Sequence, residues 1–251
     1  MYVNLNSMGF ISILLPKYEQ IFSTFIYNNI KRMENELKKL ARQLSCPEGE
    51  KGKKLAEKMN LNNLPVILNG YSNLQIQNND HILELGYGNG GLLGYILSLA
   101  KDIRYTGLEI SPTMHEEAIS FNRVYIQAGL AQYFLFDGLS IPLESQTFDK
   151  IITINTLYFW ENPIFLLKEI VRVLKTNGHF CLTFCDKSFM EKLPFTKNEF
   201  QLYDVKAVKD LILGLPFELI QEDHKQDKSI SKTGILTDRE FISLVFKKIN
   251  E

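Results

Sequence analysis

The 251-residue sequence has three cysteines, four histidines, one tryptophan and almost no surplus charge. Cys46, Cys181 and Cys185 form an odd set without the close double pairs of a zinc site or a disulfide framework, so reduced thiols and a cytoplasmic setting are expected. Cys181 and Cys185 stand four apart in a run that reads as strand. That parity points both to one face, as buried packing rather than as metal ligands. None of His81, His115, His179 and His224 has a partner at metal-ligand spacing, so no metal is expected. The net charge of −1 hides an uneven spread: residues 1–60 carry 10 basic and 6 acidic side chains, 61–185 carry 7 and 11, and 186–251 carry 11 and 12. A net-acidic middle has no basic field to gather phosphates, which argues against a nucleic-acid partner. The uncharged opening from Met1 to Pro16 lacks a basic leader region. Its apolar run from Gly9 to Leu15 falls short of the roughly 20 residues a bilayer span takes. No signal peptide and no membrane span are expected; the opening reads as a tail or as an edge strand.

What is present begins with one long amphipathic helix from Tyr18 to Leu44, with Phe22, Ile26, Ile30, Met33, Leu37, Leu40 and Leu44 at three- and four-residue steps. Pro47 and Gly49 end it. A short helical stretch follows over Lys53 to Met59, before the Asn-rich segment Asn60 to Asn63. Asn60 and Asn63 stand just upstream of the core, where they read as part of a helical lid or as caps of a following helix. From His81 the texture changes. Short apolar runs at 81–85, 104–109, 132–136, 150–154 and 179–184 alternate with helical patterns at 91–100, 112–128 and 163–174. That alternation specifies an α/β fold, a parallel sheet doubly wound with helices on both faces. After a helix from Asp204 to Leu213, the runs 217–221 and 241–246 have no crossover helix between them and should pair antiparallel as a late hairpin at the sheet edge. The division expected is a helical extension over 1–59 and a main domain over 60–251, with an acceptor-side insert at 186–213.

The chemistry gathers at the ends of the strands. The first runs into Gly86-Tyr87-Gly88-Asn89-Gly90-Gly91, and glycines in a strand-to-helix turn let the backbone approach a nucleotide-like ligand closely. Gly86, Gly88 and Gly91 fit a dinucleotide GxGxxG, while Gly86, Gly88 and Gly90 fit GxGxG; both patterns are open at this point. Glu109 ends the second strand, where a carboxylate can accept from both hydroxyls of a ribose. Glu84, two residues before Gly86, faces the turn and suits a positively charged amino group, which a nicotinamide dinucleotide lacks. Asp137, after the third strand, suits an exocyclic adenine amine.

These stations resemble the class I S-adenosylmethionine-dependent methyltransferases, in particular the small-molecule, quinone-biosynthesis-like branch (methyltransferase type 11). The resemblance rests on Glu84 to Gly90, Glu109, Asp137-Gly138, Phe148 to Ile151, and Arg172 to Gly178, and covers about residues 60 to 185. It implies a seven-stranded Rossmann-like sheet and S-adenosylmethionine as cofactor. Glu84 and the turn Gly86, Tyr87, Gly88, Asn89 and Gly90 would hold the methionine portion, Glu109 and Ile110 the ribose, Asp137 and Gly138 the adenine, and Asn155 would complete the cofactor site. Where the family usually has Pro-Gly-Gly, this chain reads Thr176-Asn177-Gly178, and Asn suits the same left-handed turn.

The fourth strand ends in Asn155-Thr156-Leu157-Tyr158-Phe159-Trp160. Amino-directed nucleic-acid methyltransferases have Asn-Pro-Pro-Tyr there, and both prolines are missing here. Tyr158, Phe159 and Trp160 suit an apolar acceptor pocket and cation-π attraction to a sulfonium of ~0.5 to 2 kcal/mol, with core packing as the plain alternative for Phe159 and Trp160. Methyl transfer chiefly requires alignment and exclusion of water, and no residue stands out as a catalytic base. The expectation is an enzyme, a methyltransferase acting on a small apolar or aromatic acceptor, as monomer or homodimer. The alternatives are an NAD(P)-dependent oxidoreductase and a non-catalytic module that binds the cofactor.

Overall fold

A computed structural model describes residues 6–197, 199–230 and 236–250. Its compact units divide between Leu40 and Ala41. In the first, helix α1 (Asn6–Ser45) already runs through most of the stretch expected as a tail or edge strand. Once a helix is nucleated, each added residue gains a backbone bond, so an uncharged, proline-containing flank can be carried along. Met1 to Leu5 lie outside the described residues.

The second unit begins with the last turn of α1 and continues in helix α2 (Gly49–Asn73), 25 residues where a short helix was expected, so a boundary after residue 59 would cut it. The Asn-rich segment and Pro65 are both inside it. Pro65 sits on the exposed side, where water can serve the carbonyl it leaves unbonded. The strands β1 (His81–Leu85), β2 (Arg104–Glu109), β3 (Ala131–Leu135), β4 (Phe148–Ile154) and β5 (Leu174–Cys185) are parallel; β6 (Phe217–Ile230) and β7 (Leu236–Lys248) close the sheet in the order β3-β2-β1-β4-β5-β7-β6. β7 runs antiparallel to both its neighbours, as the late hairpin requires. The hairpin extends well beyond the two apolar runs, pairing out to Ile230 and Leu236 through the polar stretch.

Adjacent residues of each central strand enter opposite clusters, as period-two alternation demands. Leu83, Ile151, Phe180 and Leu244 pack with helices α6 (Pro163–Val173) and α8 (Val205–Ile212). Ile82, Ile152, Cys181 and Val245 pack with Tyr71 and Leu74 at the end of α2 and with Leu93 and Ile96 of helix α3 (Leu93–Ser98). Cys181 and Cys185 are both buried, but Cys185 joins the other cluster, because it is the last residue of β5 and Tyr158 takes its backbone N–H. The helix expected over 112–128 breaks into α4 (Pro112–Phe121) and α5 (Arg123–Gln127) at Asn122, whose amide turns back on the Ala118 carbonyl. Residues 186–213 hold helix α7 (Lys187–Met190), a 3-10 turn at Pro194–Lys197, and α8. Asn177 takes φ +65°, the left-handed geometry expected of it. No helix among the described residues is long and apolar enough to cross a membrane.

The polar half of the hairpin has a structural task. Arg239 is 2 % exposed, and its guanidinium donates to Asp227, to the Asn63 amide oxygen and to the Asn62 carbonyl of α2. Removing one partner of a buried pair strands the other. Arg239→Ala should therefore lower the unfolding free energy by about 3 kcal/mol in urea denaturation; a loss below about 0.5 kcal/mol, the surface-substitution level, would contradict the tie.

Candidate active site

β1 delivers the chain into the glycine turn, and the backbone there separates the two motif readings. Gly86, Gly88 and Gly90 take φ of +79°, +60° and +66°, whereas Gly91 keeps an ordinary φ. The left-handed positions thus follow GxGxG. A side chain at Gly86 would collide with Thr156, while a Cβ at Gly88 would meet nothing within 4 Å. Gly88 faces open space. The helix after the turn, α3, is six residues long rather than the expected ten, too short to present a strong dipole to a pyrophosphate.

Glu109 fixes this turn. Its Oε2 accepts from Gly88 N–H at 2.9 Å, and its Oε1 from Ile110 and Ser111 N–H at 2.9 and 3.1 Å. Burial raises its pKa, and the three backbone donors pull the other way. From below, Asn122 donates to the Gly90 carbonyl at 3.0 Å. From α2, Asn60 donates to Asn89 Oδ1 at 2.6 Å, and that oxygen also accepts from Gly91 N–H.

Glu84 lies beneath the turn, with Oε2 accepting from Tyr71 of α2 at 2.7 Å and Tyr105 of β2 at 2.6 Å. Burial outweighs these two bonds and lifts its pKa to about 7. Tyr87 packs edge-on to Tyr133 at 4.7 Å and shares a 2.7 Å hydrogen bond with His115 Nδ1. Its ring lies where a side chain at Gly107 would be, so β2 leaves room for it. His115, expected on an exposed helix start, is half-buried through this bond.

One cavity joins these parts. Glu84, Gly86, Tyr87, Gly88, Gly90, Glu109, Ile110, Gly138 and Asn155 line it, and so do Phe159 and Trp160. Asn60, Asn63, Met59 and Leu55 of α2 form a wall on the same cavity. Three expected residues are not part of the lining. Asn89 is turned to Asn60 and Gly91. Asp137 is exposed, and its Oδ1 accepts from Leu139 and Ser140 N–H, bonds that lower its pKa, while its neighbours Phe136 and Gly138 reach the cavity. Tyr158 is buried behind the wall, its hydroxyl accepting from Cys185 N–H and donating to Asn155 Oδ1 at 3.1 Å. Tyr158, expected on the acceptor pocket, packs in the core instead, because a phenol sealed there keeps its hydroxyl on the backbone. Tyr71, Tyr105 and Asn122 escaped the sequence reading. For Tyr105 a signal existed, since it shares a β2 face with Glu109 by parity.

The donor set suits S-adenosylmethionine: an acid beneath the turn for an amino group, an acid at the β2 tip for a ribose, an open space over Gly88, and apolar walls. Residues 83–182 match the family model described as a methyltransferase domain. Curated relatives include an uncharacterized methyltransferase, YdaC, of Bacillus subtilis, 29% identical over 113 residues that make up 44% of this chain and 59% of the relative. Another is a fatty-acid O-methyltransferase of Mycolicibacterium smegmatis, 28% identical over 103 residues, covering 41% and 36%. The chain thus spans between about a third and three fifths of these relatives' lengths. A solved SAM-dependent methyltransferase from Aquifex aeolicus shares the fold with a TM-score of 0.58 at 16% identity, over 78% of this chain and 96% of that one. Residues 83–182 thus match a methyltransferase domain, on a fold shared with a solved S-adenosylmethionine-dependent methyltransferase.

The raised Glu84 pKa has a measurable consequence. The folded protein holds this proton up to pH about 7, while the unfolded chain releases it near 4.5. Stability without ligand should therefore fall as pH rises from 4.5 to 7, by on the order of 3 kcal/mol, and level off above. Urea unfolding across that range should show a smaller fall for Glu84→Gln; equal slopes would contradict the assignment.

Proposed function

We propose that this chain transfers a methyl group from S-adenosylmethionine to a small, apolar or aromatic acceptor. The observation that carries the reading is the Glu109–Gly88 bond beside the open face of Gly88: a β2-tip carboxylate and a side-chain-free turn meet at one cavity. S-adenosylmethionine supplies a methyl carbon already activated by positive sulfur. Glu84 takes the amino group, backbone 86–90 lies along the methionine portion, Glu109 and Ile110 take the ribose, and Gly138 flanks the adenine, with Asp137 at its edge. Asn155 stands where the cofactor meets the acceptor. Phe159 and Trp160 shape the acceptor side and exclude water, while Trp160 Nε1 is held by Thr156 Oγ1 at 3.0 Å.

The assignment of an apolar acceptor draws support from the walls and from the fatty-acid O-methyltransferase among the relatives. A small-molecule acceptor, no nucleic-acid partner and a monomeric or homodimeric state complete the proposal. The split backbone geometry of Gly90 and Gly91 and the short α3 speak for a nucleoside ligand over a dinucleotide.

Calorimetric titration should give binding of S-adenosylmethionine and none of NAD. Glu109→Ala should weaken that binding by ~1.5 to 3 kcal/mol, because hydrogen bonds to a charged group are lost. Binding of NAD alone, or unchanged affinity in the variant, would contradict the reading.

A further inference from the structure

The acceptor side of the cavity has a chemical bias that rests on two asparagines. Asn155, at the tip of β4, has its oxygen engaged by Tyr158. Because Tyr158 Oη already accepts from Cys185 N–H at 2.5 Å, its own proton is free to go outward, and Asn155 Oδ1 at 3.1 Å is nearer than the Cys185 carbonyl at 3.3 Å. Asn63, in the α2 wall, has its oxygen engaged by Arg239 Nη1 at 2.9 Å. A guanidinium only donates, so the Asn63 amide must present its oxygen to Arg239 and its NH₂ elsewhere. Both residues line the cavity and both NH₂ groups are without a partner among the described residues. The surrounding bonds thus orient two amides with their donors available to the cavity.

The rest of the lining sharpens this. Among the described residues no lysine, arginine, histidine or cysteine lines the cavity, and its two carboxylates stand on the β1–β2 side, committed to tyrosines and backbone N–H groups. His115 is turned to Tyr87. A neutral alcohol would have to lose a proton during transfer, and the acceptor side offers no base to take it. An amine would meet the NH₂ groups of Asn155 and Asn63, which only donate.

Resting on the methyltransferase reading above, we infer that the acceptor is an acid ionised in solution, a carboxylate or acidic phenolate on an apolar body, received by the NH₂ groups of Asn155 and Asn63. An oxygen lone pair forms the new bond to the methyl carbon, the carbon–sulfur bond breaks, and its electron pair stays on sulfur. The products are a methyl ester or ether and the neutral thioether S-adenosylhomocysteine, with no proton to place. This explains an active site without a base: ionisation precedes binding, and the protein supplies neutral donors that do not quench the nucleophile as a cation would.

The test is calorimetric, on the full chain saturated with S-adenosylhomocysteine, with octanoate and 2-naphthoate set against octanol and 2-naphthylmethanol. The acids should bind about tenfold or more tighter than the alcohols. Asn155→Asp and Asn63→Asp retain the oxygens that Tyr158 and Arg239 hold but replace the donors with anionic oxygen, and each should cancel that preference. With S-adenosylmethionine in place of the product, the acids should be methylated without proton uptake or release. Alcohols binding as well as acids, or a preference that survives both substitutions, would overturn the inference while leaving the methyltransferase reading intact. Failure of S-adenosylhomocysteine to bind at all would overturn both.

Discussion

The carboxylate of Glu109 is the constraint from which the site follows. Burying an anion at 5 % exposure is costly, and here three backbone N–H groups offset that cost, each charge-assisted bond contributing about 1.5 to 3 kcal/mol. Two of these donors come from the residues just after β2, so they orient the acid. The third, Gly88, comes from the turn after β1. That single bond makes the tips of neighbouring parallel strands one unit. It holds the turn in a conformation that three glycines permit, with the face of Gly88 left open. Without the acid, the turn would lose its only side-chain partner at Gly88 among the described residues.

Around that unit the protein builds a wall from an unexpected direction. α2 reaches the turn through Asn60 and the cavity through Asn63, and it is tied to the hairpin by Arg239, which donates to Asn62 and Asn63 while paired with Asp227. A polar hairpin extending past the last apolar residues would otherwise be hard to explain. Its buried arginine gives it a purpose, since a salt bridge removed from water needs further hydrogen bonds to hold, and the α2 backbone and amides supply them. Stability and site geometry are thereby coupled through one guanidinium.

Much of this was legible in the sequence. Period-two apolar runs located the five parallel strands to within a few residues except at the start of β5, which begins at Leu174, where it pairs with Phe148 ahead of a register shift. The glycine turn, Glu84, Glu109, Gly138, Phe159 and Trp160 line one cavity, and strand tips and glycines are the local signals that single them out. The length of α2 was not. An Asn-rich segment with a proline reads as loop, and only tertiary partners for Asn60, Asn62 and Asn63 make it helix. Tyr158 deceived for a related reason: an aromatic at a strand tip has the same local signature whether it faces a ligand or the core. The clasp of Glu84 by Tyr71 and Tyr105 joins residues from three elements, which local pattern does not carry.

The central claim is that the cleft over Gly88 receives an adenosine bearing a sulfonium chain, held by Glu109. A crystal structure grown with S-adenosylhomocysteine tests this most directly. The account predicts the ribose hydroxyls on the Glu109 carboxylate and the methionine chain running along the turn toward Glu84. An adenosine bound elsewhere, or a cleft filled by the side chains of α2, would contradict it.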